Sequence, residues 1–259
     1  MYQLSPNIEL LFTEAGAHPD RVRAAAAAGF DAVEMWGTST VDVDALAAAL
    51  DETGVSLTSV LAEPRTNFAL PWETLDAFFE GLDRGIAHAQ RLGVPRIVLG
   101  SGTGFAGMKR AQNLERLVEV FTQAAERTQG SGVKLVLEAV NTRVDHPGAL
   151  TDRTADAVTV ARGVGSPSFG ILYDLYHSIV EGEDPATELA NAGGLVDYVQ
   201  IADAPGRGEP GSGSIDWDAA LTVLRASGYD GPIGLEYFPT VASEDSVKLI
   251  REVVAAHAR

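Results

Sequence analysis

Residues 133–138 read VKLVLE, and the same design returns at 169–174 (FGILYD), 196–200 (VDYVQ) and 231–236 (GPIGLE). Each is a short apolar run that closes on one oxygen-bearing side chain: Glu138, Asp174, Gln200 and Glu236. Runs of this length between turn signals read as buried strands, and a loop and a helical pattern follow each of them. In a barrel of parallel strands the four side chains would converge at one rim, the end at which such barrels keep their chemistry.

Outward from these four, the alternation covers the chain. Strands are expected at 7–12, 31–35, 55–61, 96–100, 133–138, 169–174, 196–201 and 232–236, and helices at 19–28, 42–53, 72–92, 109–129, 152–163, 184–191, 216–227 and 243–257. Gly54, Gly93, Gly132, Gly165 and Gly228 stand just past helical segments, where a left-handed cap favours glycine. Eight βα units in 259 residues predict an α/β fold, a (β/α)8 TIM barrel occupying 1–259 as one domain. A doubly wound sheet is the alternative, but no GxGxxG or P-loop follows the first strand.

Composition narrows the function. With 36 acidic against 19 basic residues the formal charge is −17, and no basic stripe offers itself to phosphates, so a nucleic-acid partner is not expected. No apolar run is long enough to span a membrane, and the N-terminus lacks the pattern of a secretory signal. Zero cysteines exclude disulfides, thiolate metal sites and a cysteine nucleophile. A cytoplasmic enzyme acting on a small molecule is the expectation, and a homo-oligomer is compatible with it.

Glu138, Asp174, Gln200 and Glu236 form an oxygen-only donor set, which suits a divalent metal ion such as Mg2+ or Mn2+ better than zinc. A single acid at a βα junction commonly caps the next helix; four at equivalent positions ask for another reason. Glu138 and Glu236, on opposite sides of a substrate, can take a proton from one carbon and return it to the next. His177 follows Asp174 by three residues, and Asn141 and Arg143 follow Glu138, so all three are candidate substrate contacts. The glycine- and proline-rich stretch 203–213 reads as a loop over the site, with Arg207 as its anion contact. Ser214 and Asp216 read as caps, and GSGTG (100–104) as a plain loop. Glu34 and Glu63 could turn toward the mouth, but no role is assigned to either.

These residues carry a resemblance. NIELLFTE (7–14), GFDAVEMW (29–36), LEAVN (137–141), YDLYH (173–177), VQIADAPGRGEPGSGSID (199–216) and GYDGPIGLEY (228–237) resemble the hydroxypyruvate isomerase family of the xylose-isomerase-like barrels. The resemblance implies that Glu138 and Glu236 are paired catalytic glutamates that also bind the metal, with Asp174 and Gln200 as its other ligands. It implies interconversion of hydroxypyruvate and tartronate semialdehyde through a cis-enediolate. Departures surround the substrate region: AEP (62–64) and RTNFALP (65–71) replace the family's pattern after the third strand, and AVNTR (139–143) follows the first glutamate. An isomerase or 3-epimerase of a longer ketose or 2-oxo sugar acid is therefore the nearest rival. A phosphodiesterase like endonuclease IV and a catalytically idle sugar-acid binder are more distant ones.

Overall fold

Strand formation is clearest where apolar side chains run unbroken. In the computed structural model, which describes residues 2–257, Lys134–Glu138 and Phe169–Asp174 pair in parallel with Leu137 opposite Ile171 and Glu138 opposite Leu172. Numbering strands in chain order, β1 is Leu4–Pro6, β2 Ala32–Val33, β3 Ser56–Leu57, β4 Val60–Leu61, β5 Arg96–Leu99, β6 Lys134–Glu138, β7 Phe169–Asp174, β8 Val196–Ile201 and β9 Ile233–Leu235. Seven form one parallel sheet in the order β1-β9-β8-β7-β6-β5-β4, and β2 pairs with β3. Backbone bonds complete the ring: Glu34 N–H donates to Pro6 O at 3.0 Å, Ile8 N–H to Glu34 O at 2.9 Å, and Leu61 N–H to Trp36 O at 3.3 Å. The result is an eight-stave barrel in which β3 and β4 make one interrupted stave.

Period-2 alternation sorts side chains into two cores. Val98, Val136, Leu172 and Tyr198 pack inside the barrel, while the larger cluster lies between the strands and the surrounding helices. The helices are α1 His18–Ala27, α2 Val43–Thr53, α3 Asp76–Leu92, α4 Arg110–Arg127, α5 Thr154–Val164, α6 Leu175–Glu181, α7 Pro185–Ala192, α8 Trp217–Ala226, α9 Ser243–Ser246 and α10 Lys248–Ala256. Among the described residues no helix is long and apolar enough to cross a membrane. Gly93 ends α3 at φ 69°, the left-handed geometry its position predicted.

Three expectations need correction. The run 7–12 is not a strand: Asn7 Oδ1 accepts the Glu9 N–H, Leu10 and Leu11 N–H return to Asn7 O, and Phe12 sits at φ 59°. Its apolar residues Ile8, Leu11 and Phe12 are buried as a turn, which burial pattern alone does not separate from a strand. The helix expected from 72 begins at Asp76, and YDLYHSIVE yields an additional helix, α6, whose first turn Asp174 caps through the Tyr176 and His177 N–H groups. Met1, Ala258 and Arg259, inside the expected 1–259 domain, lie outside the described residues.

Candidate active site

The ends of β6, β7, β8 and the residue after β9 deliver Glu138, Asp174, Gln200 and Glu236 to one end of the barrel, with Asp174 in register with Gln200. A cavity of about 620 Å³ opens there, lined by both Glu138 and Glu236 together with Trp36, Arg65, Asn67, Ser101, His146, Arg207 and Phe238. Asp174, Gln200 and Glu236 are buried. Glu138 and Glu236 thus line the cavity itself, Asp174 lies within reach of Glu138, and Gln200 is buried beside Asp174 in the strand register.

Glu236 is the most heavily tethered. Its Oε1 accepts from Trp36 Nε1 at 2.7 Å and Asn7 Nδ2 at 3.4 Å, and its Oε2 from Arg207 at 2.8 Å. Arg207 reaches inward because the loop bends sharply beneath it: Gly206 has φ 105° and Arg207 itself φ 54°. Arg207 then lies over the Tyr176 ring at 5.5 Å and the Phe238 ring at 5.9 Å. Asp203 holds the base of this loop, accepting from the Ala204, Gly211 and Ile215 N–H groups and from Trp217 Nε1. Asp216 caps α8 as expected, whereas the Ser214 hydroxyl bonds Ala204 O instead of a helix end.

His177 Nε2 lies 3.7 Å from Glu138 Oε1 and 3.7 Å from Asp174 Oδ2. Ligand atoms of these three residues fall within 4.8 Å of one another, a triad that could hold a metal ion. The neighbouring Asn141 decides the imidazole tautomer. Its Oδ1 accepts the Val144 and Asp145 N–H groups, each at 3.0 Å, so its Nδ2 must be the atom that meets Asp145 Oδ2 and His177 Nδ1, each at 2.6 Å. Nδ1 therefore accepts, and a neutral ring carries its proton on Nε2. Burial and then the Arg207 cation lower the His177 pKa to about 3, keeping the ring neutral. His177 thus presents an N–H donor to the site, and oxygen atoms are left as the metal donors.

Asn141 itself is fully buried with its amide spent on this network, so it is no direct substrate contact. Arg143 is also placed elsewhere: its side chain is 60% exposed and pairs with Glu181 at 3.3 Å, away from the residues lining the cavity. Glu63 turns outward to the Ser39 N–H and hydroxyl. Glu34 is buried under the site, accepting from Asn7, Ser59, Tyr198 and Gln200. Trp36 and Glu34 were not assigned a role from sequence; both follow β2 in AVEMW, two residues apart. The GSGTG loop and the substituted stretch after the third strand both line the cavity, through Gly100–Thr103 and Arg65–Phe68.

Electrostatically the site is short of positive charge. Glu138, Asp174 and Glu236 share the guanidinium of Arg207, which pairs with Glu236 at 2.8 Å, Glu34 lies beneath them with no cation of its own, and Arg65 is the other arginine lining the cavity. Burial, then the charges of Glu236 and Asp174, push the Glu138 carboxyl well above its usual range. Burial, then Glu236, raises Glu34 to about 8, and burial raises Asp174. Asp174 Oδ2 and Gln200 Oε1 are buried without any hydrogen-bond partner. Unpaired buried oxygens among crowded carboxylates are the surroundings a divalent cation would relieve, so the residues present fit such an ion.

Comparison with known proteins agrees with this fold. The xylose isomerase-like TIM barrel model matches residues 22–253. The 2-oxo-tetronate isomerase of Cupriavidus necator is 33% identical over 248 residues, covering 92% of this chain and 94% of its own. The hydroxypyruvate isomerase of Escherichia coli is 30% identical over 258 residues, covering 96% and 98%. A Brucella melitensis crystal structure described as an AP endonuclease, family 2, superposes with a TM-score of 0.88 at 27% identity, covering 97% of this chain and 99% of that one. The chain belongs to the xylose isomerase-like TIM barrel family, on its hydroxypyruvate isomerase side. It is an enzyme of the aldose–ketose isomerase type.

Proposed function

We propose that the chain interconverts hydroxypyruvate and tartronate semialdehyde by moving a proton between adjacent carbons. The observation that carries this reading is that Glu138 and Glu236, closing different staves, line one cavity at the barrel mouth. Glu138, Asp174, Gln200 and Glu236 would hold a divalent ion, Mg2+ or Mn2+ by its oxygen donors, whose contribution is to polarise the substrate's carbonyl. One of the two glutamates takes a proton from the hydroxymethyl carbon; the other delivers one to the former carbonyl carbon. In the same interconversion the hydroxyl proton leaves the first oxygen and arrives on the second, so the atoms balance through a cis-enediolate. Arg207 holds Glu236 in place and offers its remaining N–H groups to the substrate's carboxylate. His177, a neutral Nε2–H donor, can hydrogen-bond a substrate oxygen beside Glu138.

A second reading shares this machinery with a longer substrate. The Cupriavidus necator relative is named for a four-carbon 2-oxo acid. The cavity of about 620 Å³ lies inside the roughly 300–1,000 Å³ span of ordinary ligand pockets, more room than a three-carbon acid needs. DNA cleavage, which the Brucella description suggests, is not supported here: the net charge is −17 and the imidazoles near the mouth are His146 and His177.

Proton NMR in D2O tests the reading with metal-stripped protein, hydroxypyruvate, and added Mg2+ or Mn2+. The expected result is metal-dependent tartronate semialdehyde carrying solvent deuterium. Inert hydroxypyruvate beside turnover of a four-carbon 2-oxo acid would move the assignment to the second reading.

A further inference from the structure

Gln200 is the neutral member of the proposed donor set, and its amide has two ends of nearly equal shape. Only the oxygen can ligate a hard cation, so something must keep the nitrogen turned away. Glu34 is placed to do so. Its Oε1 accepts from Gln200 Nε2 at 2.9 Å, and Gln200 Oε1, at the other end of the amide, is buried with no partner. Oε1 accepts a second amide N–H, from Asn7 Nδ2 at 3.2 Å, while Ser59 Oγ at 3.3 Å and the Tyr198 hydroxyl meet Oε2, so Oε1 is an acceptor whether or not Oε2 carries a proton. An inverted amide would set its oxygen against the accepting Oε1 of Glu34 and its N–H groups against the cation. The backbone also makes room for this pair: a Cβ on Gly234 would lie 2.4 Å from Glu34 Oε2 and 2.8 Å from Gln200 Cγ.

We infer that Glu34 is a positioning residue that fixes the Gln200 amide with its nitrogen inward and its oxygen toward the site, and so sets the affinity for the divalent cation. The inference rests on the metal reading above. Its chemistry is that of an outer partner orienting a ligand, an interaction whose loss typically weakens metal binding about 10–100-fold. Glu34→Gln keeps shape and volume but supplies an N–H of its own, which lets the Gln200 amide turn over.

The test is Mn2+ binding, followed by water-proton relaxation, on wild type, E34Q, Q200A and the double variant, with thermal melts alongside. E34Q should lose about 10–100-fold in Mn2+ affinity while melting near wild type. The double variant should bind no more weakly than Q200A alone, because Glu34 acts through the amide that Q200A removes. Wild-type affinity in a folded E34Q, or losses that multiply in the double variant, overturn the inference. Should E34Q fail to fold, E34D withdraws the carboxylate by one methylene and must show the same loss. A wild type that binds no Mn2+ brings down the metal reading itself, whereas an E34Q indifferent to Mn2+ brings down only the role of Glu34.

Discussion

The half of the barrel built on β6 to β9 and the half built on β1 to β5 meet at the same cavity by different means. In the first, parallel strands carry Glu138, Asp174, Gln200 and Glu236 at or just past their ends, and register sets Asp174 beside Gln200 and Glu138 beside Leu172, with a shift at Ile171–Leu172 between β7 and β8. In the second, strands are short and interrupted, and the groups that matter either sit inside the barrel, as Asn7, Glu34 and Trp36 do, or on loops such as 65–68. The first half supplies the four strand-end side chains and Arg207, and the second adds the tethers Asn7 and Trp36, the buried Glu34 and the facing wall of the cavity. Chemistry built on strand ends is a property of single residues, whereas enclosure is a property of contacts between distant ones.

The comparison breaks or holds first on the acids. Glu138→Gln and Glu236→Gln should each reduce kcat by about 10²–10⁴-fold, the range for removing a general acid or base, with the fold intact by circular dichroism. An effect below tenfold in either would remove that half from the chemistry. On the opposite half, Trp36→Phe deletes the 2.7 Å hydrogen bond to Glu236 and keeps an aromatic ring. A hydrogen bond to a charged group contributes roughly 1.5–3 kcal/mol, so a loss of about tenfold or somewhat more in kcat/KM is expected. A loss as deep as that of E236Q would mean that Trp36 takes part in the chemistry and that the division of labour is wrong.

A smaller effect, on stability, is expected at the Asp203 loop anchor. Burial opposes its charge, yet the hydrogen bonds from Trp217, Ile215 and Gly211 win and hold the carboxyl below the ordinary aspartate value. Because the folded-state value is depressed, this stabilisation is present above the unfolded value, about 3.9, and fades as pH falls through the lower folded value. Asp203→Asn should lower Tm by a few degrees at neutral pH, and the gap to wild type should narrow as pH falls below about 4. A gap that stays constant across that range would assign the stabilisation to packing instead of charge.

What the sequence reveals follows the same division. The strand-end acids are legible because burial demands apolar runs and the βα junction gives the last residue a fixed direction. Gly93 is legible because a left-handed cap has few other solutions. The apolar stretch at Ile8–Phe12 misleads because a buried turn and a buried strand need the same hydrophobicity, and only the Asn7 side chain, bonding its own backbone, separates them. Glu34, the residue after β2, gives no sign of its partner, because Gln200 lies 166 residues away. Spacing treats His177 and Asn141 alike, as polar residues shortly after a strand-end acid, but the two backbone N–H groups that occupy the Asn141 oxygen turn its amide to His177 and leave only the imidazole directed at Glu138 and Asp174.

The two arginines are the finest case, and Arg143 gives the smallest expected effect. Arg143 and Arg207 each follow a rim residue in a polar loop, so spacing treats them alike. Backbone separates them: the left-handed turn at Gly206–Arg207 aims one guanidinium at Glu236, while Glu181 holds the other outward. Arg143→Ala removes a 60% exposed side chain whose ion pair contributes at most about 1 kcal/mol, so kcat/KM should stay within about twofold of wild type. Arg207→Ala leaves the Glu236 carboxylate without its cation in a buried setting and should cost at least about tenfold more than Arg143→Ala does. Equal losses in the two variants would mean that the loop carrying Arg143 closes over the substrate during turnover and brings a second guanidinium to its carboxylate.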